Sequence, residues 1–199
     1  MSRERTIGIL LFDDAEELDW AGPWEVLTSL RMVAGETRVV TIAERDGPVT
    51  CAKGLRVLPD HDFESAPPLD VVLVPGGQGT RRQVDNPALI EWLRRAGADA
   101  EWVTSVCTGA LLLHEAGFAR GKRVTTHWGF CDQLEARGDV TVLRRTRWVR
   151  DGNLVTAAGV SAGIDMALWL VGQMHSPGVA RQVQRYMEYD PAPPYQAEV

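Results

Sequence analysis

A doubly wound α/β fold, with a mostly parallel sheet and helices on both of its faces, is the class this sequence predicts. Three observations carry it. Three apolar runs are continuous rather than alternating, helical periodicity fills the stretches between them, and neither an internal repeat nor a low-complexity segment breaks the order.

TIGILLF (6–12) reads as a strand buried on both faces. GPWEVLTSLRMVAG (22–35) follows as a helix. Pro23 suits a first helical turn, Val26, Leu27, Leu30 and Val33 recur at helical spacing, and Gly35 ends it. DVVLVPGG (70–77) is a second buried strand. In NPALIEWLRRAGA (86–98), Asn86 reads as the N-cap and Pro87 as the first helical residue, with Leu89, Ile90 and Leu93 on one face. EWVTSVC (101–107) is a third buried strand, and a leucine-rich helix runs from Ala110 to Ala116. TRWVRDGNLVTAAG (146–159) is a hairpin turning at Asp151-Gly152, a pair that supplies positive φ. GVSAGIDMALWLVGQM (159–174), apolar nearly all round, is a central buried helix. The organisation is one domain over residues 1–189, followed by a proline-rich tail, DPAPPYQAEV (190–199), that cannot continue a helix.

Composition narrows the function classes. The chain has 199 residues, 45% hydrophobic and 24% charged, enough to bury a sizeable core. It lacks the run of about 18 apolar residues that crosses a bilayer, and its start, MSRERTIGILLF, lacks the apolar core and cleavage site of a signal peptide. A cytoplasmic protein with no membrane partner is expected. Cys51, Cys107 and Cys131 are widely spaced and in no CxxC pair, so neither a disulfide framework nor a thiolate zinc site is indicated. A formal charge of −6 repels phosphate backbones, and Arg81–Arg82, Arg94–Arg95 and Arg144–Arg150 read as solvated faces, so nucleic acid is not an expected partner. His61, His114 and His175 have no metal-ligand spacing, and no Walker or dinucleotide glycine motif is present; no metal and no cofactor are expected.

The chemistry-bearing residues gather at strand ends. Ligands of open α/β sheets bind beyond the carboxyl ends of strands, where Cys107 falls. Gly109 allows a tight turn into the next helix, the outline of a nucleophile elbow. Read from the turn alone, Cys107 is either a thiol activated by a lowered pKa at a helix N-terminus or a small buried apolar residue. EELDWAGP (16–23) follows the first strand directly. Glu16 and Glu17 suit the first turn of the next helix, whereas Asp19, flanked by Leu18 and Trp20, is a candidate acid/base for the same rim. Gly76 and Gly77, again at a strand end, offer either free N–H groups for a developing negative charge or a plain turn. His127 would orient a base or bind substrate, or serve as a structural histidine.

EELD (16–19), VLVPGG (72–77), TSVCTGALLL (104–113), GKRVTTHW (121–128) and GNLVTAAGVSAGIDMAL (152–168) together resemble the ThiJ/PfpI superfamily, in order over nearly the whole chain. Within it, the Cys107-Thr108-Gly109 elbow, the aspartate at 19, TTHW and the closing ARQVQRYMEYDPAPPY most resemble the isonitrile hydratases; Ala21 stands where that group's LDxTGP carries a hydroxyl residue. The histidine that follows the nucleophile in peptidase-like members is replaced by Thr108. The resemblance implies a flavodoxin-like fold and a homodimer with the active site near its interface. It also implies a small-molecule substrate, Cys107 as nucleophile, Asp19 as acid/base, and Gly77 and Thr108 as hydrogen-bond donors. An apolar isonitrile would enter a pocket partly lined by Trp20 and Trp24. Two other functions share the thiol and the carboxylate: glyoxalase-like or deglycase-like chemistry on reactive carbonyls, and a non-enzymatic redox sensor in which Cys107 is oxidised. The ligand-sensing half of a transcription regulator is a further class, disfavoured because no stretch reads as a helix-turn-helix domain.

Overall fold

The structure is a computed structural model that describes residues 4–35 and 37–192. In chain order the elements are β1 (Arg5–Leu10), α1 (Glu17–Ala34), β2 (Thr37–Ala43), β3 (Val49–Thr50), β4 (Arg56–Val57), β5 (His61–Asp62) and β6 (Val71–Val74). There follow α2 (Thr80–Gln83), α3 (Pro87–Ala98), β7 (Trp102–Val106), α4 (Gly109–Glu115), β8 (Lys122–Val124), α5 (Cys131–Glu135) and β9 (Val140–Val142). The hairpin β10 (Trp148–Asp151) and β11 (Leu154–Ala157) leads into α6 (Ala162–Met174) and α7 (Pro177–Tyr186).

The main sheet has the strand order β10-β11-β7-β6-β1-β2-β5, and only β10 runs antiparallel to its neighbour. Alternate residues of each strand feed different cores. Ile7, Ile9, Val71 and Leu73 pack with Val26, Leu27 and Leu30 of α1 and with Met166, Leu170 and Val171 of α6. Leu10, Val72, Val74 and Val103 pack on the other side with Leu89 and Leu93 of α3 and Leu112 and Leu113 of α4. With both pleat faces covered, no polar residue is needed on either, which is why these strands read as unbroken apolar runs. The mostly parallel, two-sided fold is therefore the one expected.

Several boundaries moved, for identifiable reasons. α1 begins at Glu17 rather than beside Pro23, so Asp19 lies in its first turn and Pro23 is inside the helix. The absent N–H of Pro23 costs one backbone bond near the helix start. Packing holds the helix across it, since Trp20, Pro23, Val26 and Leu27 are all buried and Pro23 seats against Gly163 of α6. β2 had no continuous apolar run to reveal it. Its Thr41 is buried yet satisfied: Thr41 N–H and Oγ1 both donate to Asp60 Oδ2 at 2.8 Å. α7 was likewise unread, although Ser176 accepts from Val179 N–H as its N-cap and Pro177 opens it. Asn86 caps α3 as expected, accepting from Ala88 and Leu89 N–H. The hairpin turns on Gly152-Asn153, one residue later than read, with Gly152 at φ 67°. Residues 190–192 form neither helix nor strand, and the rest of the expected tail lies outside the described residues. No helix among the described residues is long and apolar enough to cross a membrane.

Leu73 sits in a central strand with no exposed surface. Leu73→Ala should therefore destabilise the protein by about 2–5 kcal/mol, read from the shift of the denaturant midpoint at unchanged m-value.

Candidate active site

β7, β6 and β1 are consecutive neighbours in the sheet, so the loops leaving their carboxyl ends meet. Those loops carry Cys107, Gly76-Gly77 and, at the start of α1, Asp19. The sheet order alone brings these four together from positions up to 88 residues apart in sequence.

Cys107 occupies the left-handed region at φ 56°, a conformation that non-glycine residues seldom adopt. It is held there from both ends. Its N–H donates to the carbonyls of Ala157 (3.1 Å) and Ala158 (2.9 Å) at the end of β11, and its carbonyl accepts from Thr126 Oγ1 at 2.7 Å. The elbow expected from sequence is present, and it delivers the sulfur beside the carboxyl of Asp19, with which it interacts directly.

Asp19 has no exposed surface. Oδ2 accepts from Gly76 N–H at 2.8 Å, while Oδ1 is buried with no partner at hydrogen-bonding distance among the described residues. Burial pushes this carboxyl up to about 7 against the opposing pull of the Gly76 N–H, and the charge of Glu16, one helical turn back, adds to the rise. The thiol goes the same way. Burial first, and the adjacent Asp19 second, push Cys107 up to about 12, although the N–H and hydroxyl of Thr108 favour the thiolate. The lowered thiol pKa expected at a helix N-terminus is thus reversed. α4 spans only Gly109–Glu115, and desolvation beside a carboxylate outweighs what so short a helix contributes. The proton rests on sulfur, and the group that titrates near neutrality is Asp19.

The glycine N–H groups are not free for a substrate, contrary to that expectation. Gly76 N–H holds Asp19, and Gly77 N–H donates to Thr108 Oγ1 at 3.0 Å. Their lack of side chains is required by the same contacts. A Cβ on Gly76 would lie 2.5 Å from Thr108 N and 2.8 Å from Asp19 Oδ2; Gly77, at φ 116°, would place one 2.3 Å from the Asp14 carbonyl. The Thr108 hydroxyl lies within 3.1 Å of both the Gly77 carbonyl and Thr80 Oγ1. Thr108 therefore clamps the β6 loop to the elbow.

His127 is half-buried, its Nδ1 accepting from Gly129 N–H at 3.2 Å and its ring packed against Gly159. It adjoins the centre through Thr126, which bonds the Cys107 carbonyl, and through the 158–160 loop, whose Val160 backbone interacts with Asp19. Trp20 is buried in the apolar cluster that also holds Cys107 and the inner face of α6, its indole next to Cys51. Trp24, on the same helix, is 38% exposed. A cavity of about 400 Å³ opens beyond the ends of β1 and β2, between Phe12, Asp13, Glu44, Asp46 and Gln83, and neither Cys107 nor Asp19 lines it.

Three participants escaped the sequence reading. Thr126 anchors the elbow carbonyl. Val160 has φ 48°, a strained conformation for a β-branched residue that no local pattern announces. Arg81, read as part of a solvated face, donates to the Gly77 carbonyl at 3.0 Å, approaches Thr108 Oγ1 at 3.4 Å and stacks on Phe130. Among the described residues no cluster of three or more His, Cys, Asp or Glu side chains is arranged to hold a metal ion.

A doubly wound sheet with a strained cysteine elbow facing a buried carboxylate defines the class to which the comparisons point. The chain belongs to the DJ-1/PfpI family, which it matches over residues 5–173. It is 43% identical over 189 residues to the isonitrile hydratase of Pseudomonas putida, covering 95% of this chain and 80% of that protein. It is 32% identical over 180 residues to the Parkinson disease protein 7 homolog of Danio rerio, covering 88% and 93%. The crystal structure of a ThiJ/PfpI family protein from Pseudomonas syringae superposes with a TM-score of 0.91 at 33% identity, over 100% of this chain and 80% of that one. HTH-type transcriptional regulators of Pseudomonas aeruginosa are also among the similar sequences.

Because the carboxyl of Asp19 is raised in the folded state, its contribution to stability is fully present below the unfolded value near 3.8 and is lost as pH rises through about 7. Asp19→Asn should remove that dependence. By pH 8 the variant should gain on the wild type by up to roughly 4 kcal/mol relative to pH 4, measured as the difference in denaturant midpoints across that range.

Proposed function

We propose that the protein is a cofactor-independent isonitrile hydratase, adding water to an isocyanide to give an N-substituted formamide. The observation that carries this is the buried contact between the Cys107 thiol and a carboxyl that titrates near neutrality. Similarity to the Pseudomonas putida hydratase over most of both chains supports it.

The reaction needs a nucleophile for the terminal carbon of R–N≡C and a base that returns the nucleophile's proton to the same carbon. A thiol near 12 is not ionised at rest. Asp19 takes its proton as the sulfur attacks, so no free buried thiolate accumulates. The new C–S bond forms, the proton passes from Asp19 to the former isonitrile carbon, and the product is a thioimidate on Cys107. Asp19, ionised again, accepts a proton from water as that water adds to the same carbon. Collapse breaks the C–S bond, the nitrogen gains one proton and the sulfur recovers the other, releasing R–NH–CHO. The balance is one water consumed per isonitrile, with no oxidant or reductant. Gly76 N–H keeps Asp19 in place throughout, and Thr108 N–H stands at the sulfur.

The pH dependence follows from which form is active. Asp19 must be ionised to take the proton, so kcat/KM should rise with pH through about 7 and then level. The deciding assay is detection of the N-formamide from cyclohexyl or para-nitrophenyl isonitrile by infrared spectroscopy or gas chromatography. Product should form with the wild type, disappear with Cys107→Ala, and fall by about 10²–10⁴-fold with Asp19→Asn. Turnover retained by Cys107→Ala would overturn the mechanism. No product from folded wild type, accompanied by consumption of methylglyoxal, would place the same pair in carbonyl chemistry instead.

A further inference from the structure

Acidic residues crowd the start of α1, and one lysine is delivered onto them from a distant loop. Glu16 precedes the helix, Glu17 opens it and Asp19 completes the group. Lys53, between β3 and β4, pairs through its ammonium with Glu16 and stands 3.6 Å from Glu17 Oε2, while its backbone N–H donates to Glu17 Oε1 at 2.6 Å. The loop does not depend on the ammonium for its placement. Ala52 N–H donates to the Ala15 carbonyl at 2.9 Å, Cys51 N–H to Leu55 at 2.8 Å, and Gly54 N–H to Cys51 at 2.9 Å. The side chain of Lys53 is 66% exposed and that of Glu16 only 20%, so the ammonium covers Glu16 from the solvent side.

The charges around Asp19 are few. Cys107 faces it from the elbow and Glu16 from its own helix, while Gly76 and Val160 present backbone groups. Asp14, further along the rim, is paired with Arg82 at 2.7 Å, and Glu17 faces Lys53 and Cys51. Glu16 is therefore the acid whose charge bears on Asp19, and Lys53 is the countercharge of Glu16. The Glu16 backbone is fixed too, its N–H donating to the Gly76 carbonyl at 2.9 Å and its own carbonyl accepting from Asp19 N–H at 3.2 Å.

We infer that Lys53 is a positioning residue for the reaction: by holding and compensating the charge of Glu16, it sets the pH at which Asp19 can accept the thiol proton. The inference rests on the acid–base role proposed for Asp19, though not on the identity of the substrate. A negative Glu16 disfavours a second negative charge one helical turn away, and an ammonium on its outer face cancels much of that repulsion. Without Lys53 the ionisation of Asp19 moves to higher pH; without Glu16 it moves lower, and Lys53 loses the charge through which it acts.

The test follows the protonated-carboxyl infrared band that Asp19→Asn removes, titrated in the intact protein from about pH 5 to 9 at low ionic strength. Lys53→Met should raise the midpoint by about half a pH unit and Glu16→Gln should lower it by a similar amount. The double variant should titrate with Glu16→Gln, and Lys53→Arg should restore the wild-type midpoint, which a merely structural loss would not require. In about 1 M salt, where the Debye length is near 3 Å, the Lys53→Met shift should largely vanish. A midpoint unmoved by Lys53→Met at low salt, or a double variant displaced from Glu16→Gln by the full Lys53→Met shift, overturns the inference. So does an Asp19 band absent near neutral pH, which would also end the proposed acid–base role. Failure to make formamide with these shifts intact would count against the substrate alone.

Discussion

Desolvation of one carboxyl group governs the carboxyl rim of this sheet. Taking a carboxylate out of water costs several kcal/mol unless hydrogen bonds or opposite charges replace the solvent. Asp19 receives the Gly76 N–H, the Cys107 thiol and the Val160 backbone, but among the described residues no cation pairs with it. The compensation is partial, and partial compensation is what leaves the group near 7 instead of fully ionised or permanently neutral. A full set of donors would make Asp19 a poor base; none would leave it protonated through the physiological range.

The same incomplete compensation explains why the thiol is not a resting thiolate. Asp19 disfavours a charge on sulfur, while the protonated thiol, by hydrogen bonding, favours the charge on Asp19, so in one dry site the proton is held on sulfur. An exposed thiolate would be more nucleophilic at rest, and also more open to oxidation. Here the proton leaves sulfur only when an acceptor of suitable strength is in contact and an electrophile is present.

Such an arrangement is held by parts that have nothing to do with proton transfer. Non-glycine residues at positive φ, such as Cys107 and Val160, each cost on the order of 1–3 kcal/mol. The apolar cores on both faces of the sheet supply the rigidity that keeps them there, because β7 and β11 are fixed in register and the Cys107 N–H is fixed to the carbonyls at the end of β11. The glycines at 76 and 77 then let the β6 loop close to within contact of Thr108 and Asp14.

Much of this was legible in the residues alone. Unbroken apolar runs announce strands covered on both faces, Asn86-Pro87 announces a helix start, and a cysteine between a strand and a Gly109 turn announces an elbow, because each is a local pattern with a local physical cause. The resemblance carried by EELD, VLVPGG and TSVCTGALLL placed Asp19 and Cys107 in one site. What the sequence by itself could not determine was every quantity set by surroundings. β2 buries Val40, Ile42 and Ala43 around a Thr41 that needs Asp60 to satisfy it; the Trp20 indole lies next to Cys51; the exposed Arg81 reaches the Gly77 carbonyl; the glycine N–H groups are already engaged. The direction of the thiol's shift belongs with these. A helix start favours thiolate by a short-range, local effect, whereas desolvation and the Asp19 charge arise only when segments far apart in the chain are packed together, and that larger contribution sets the sign.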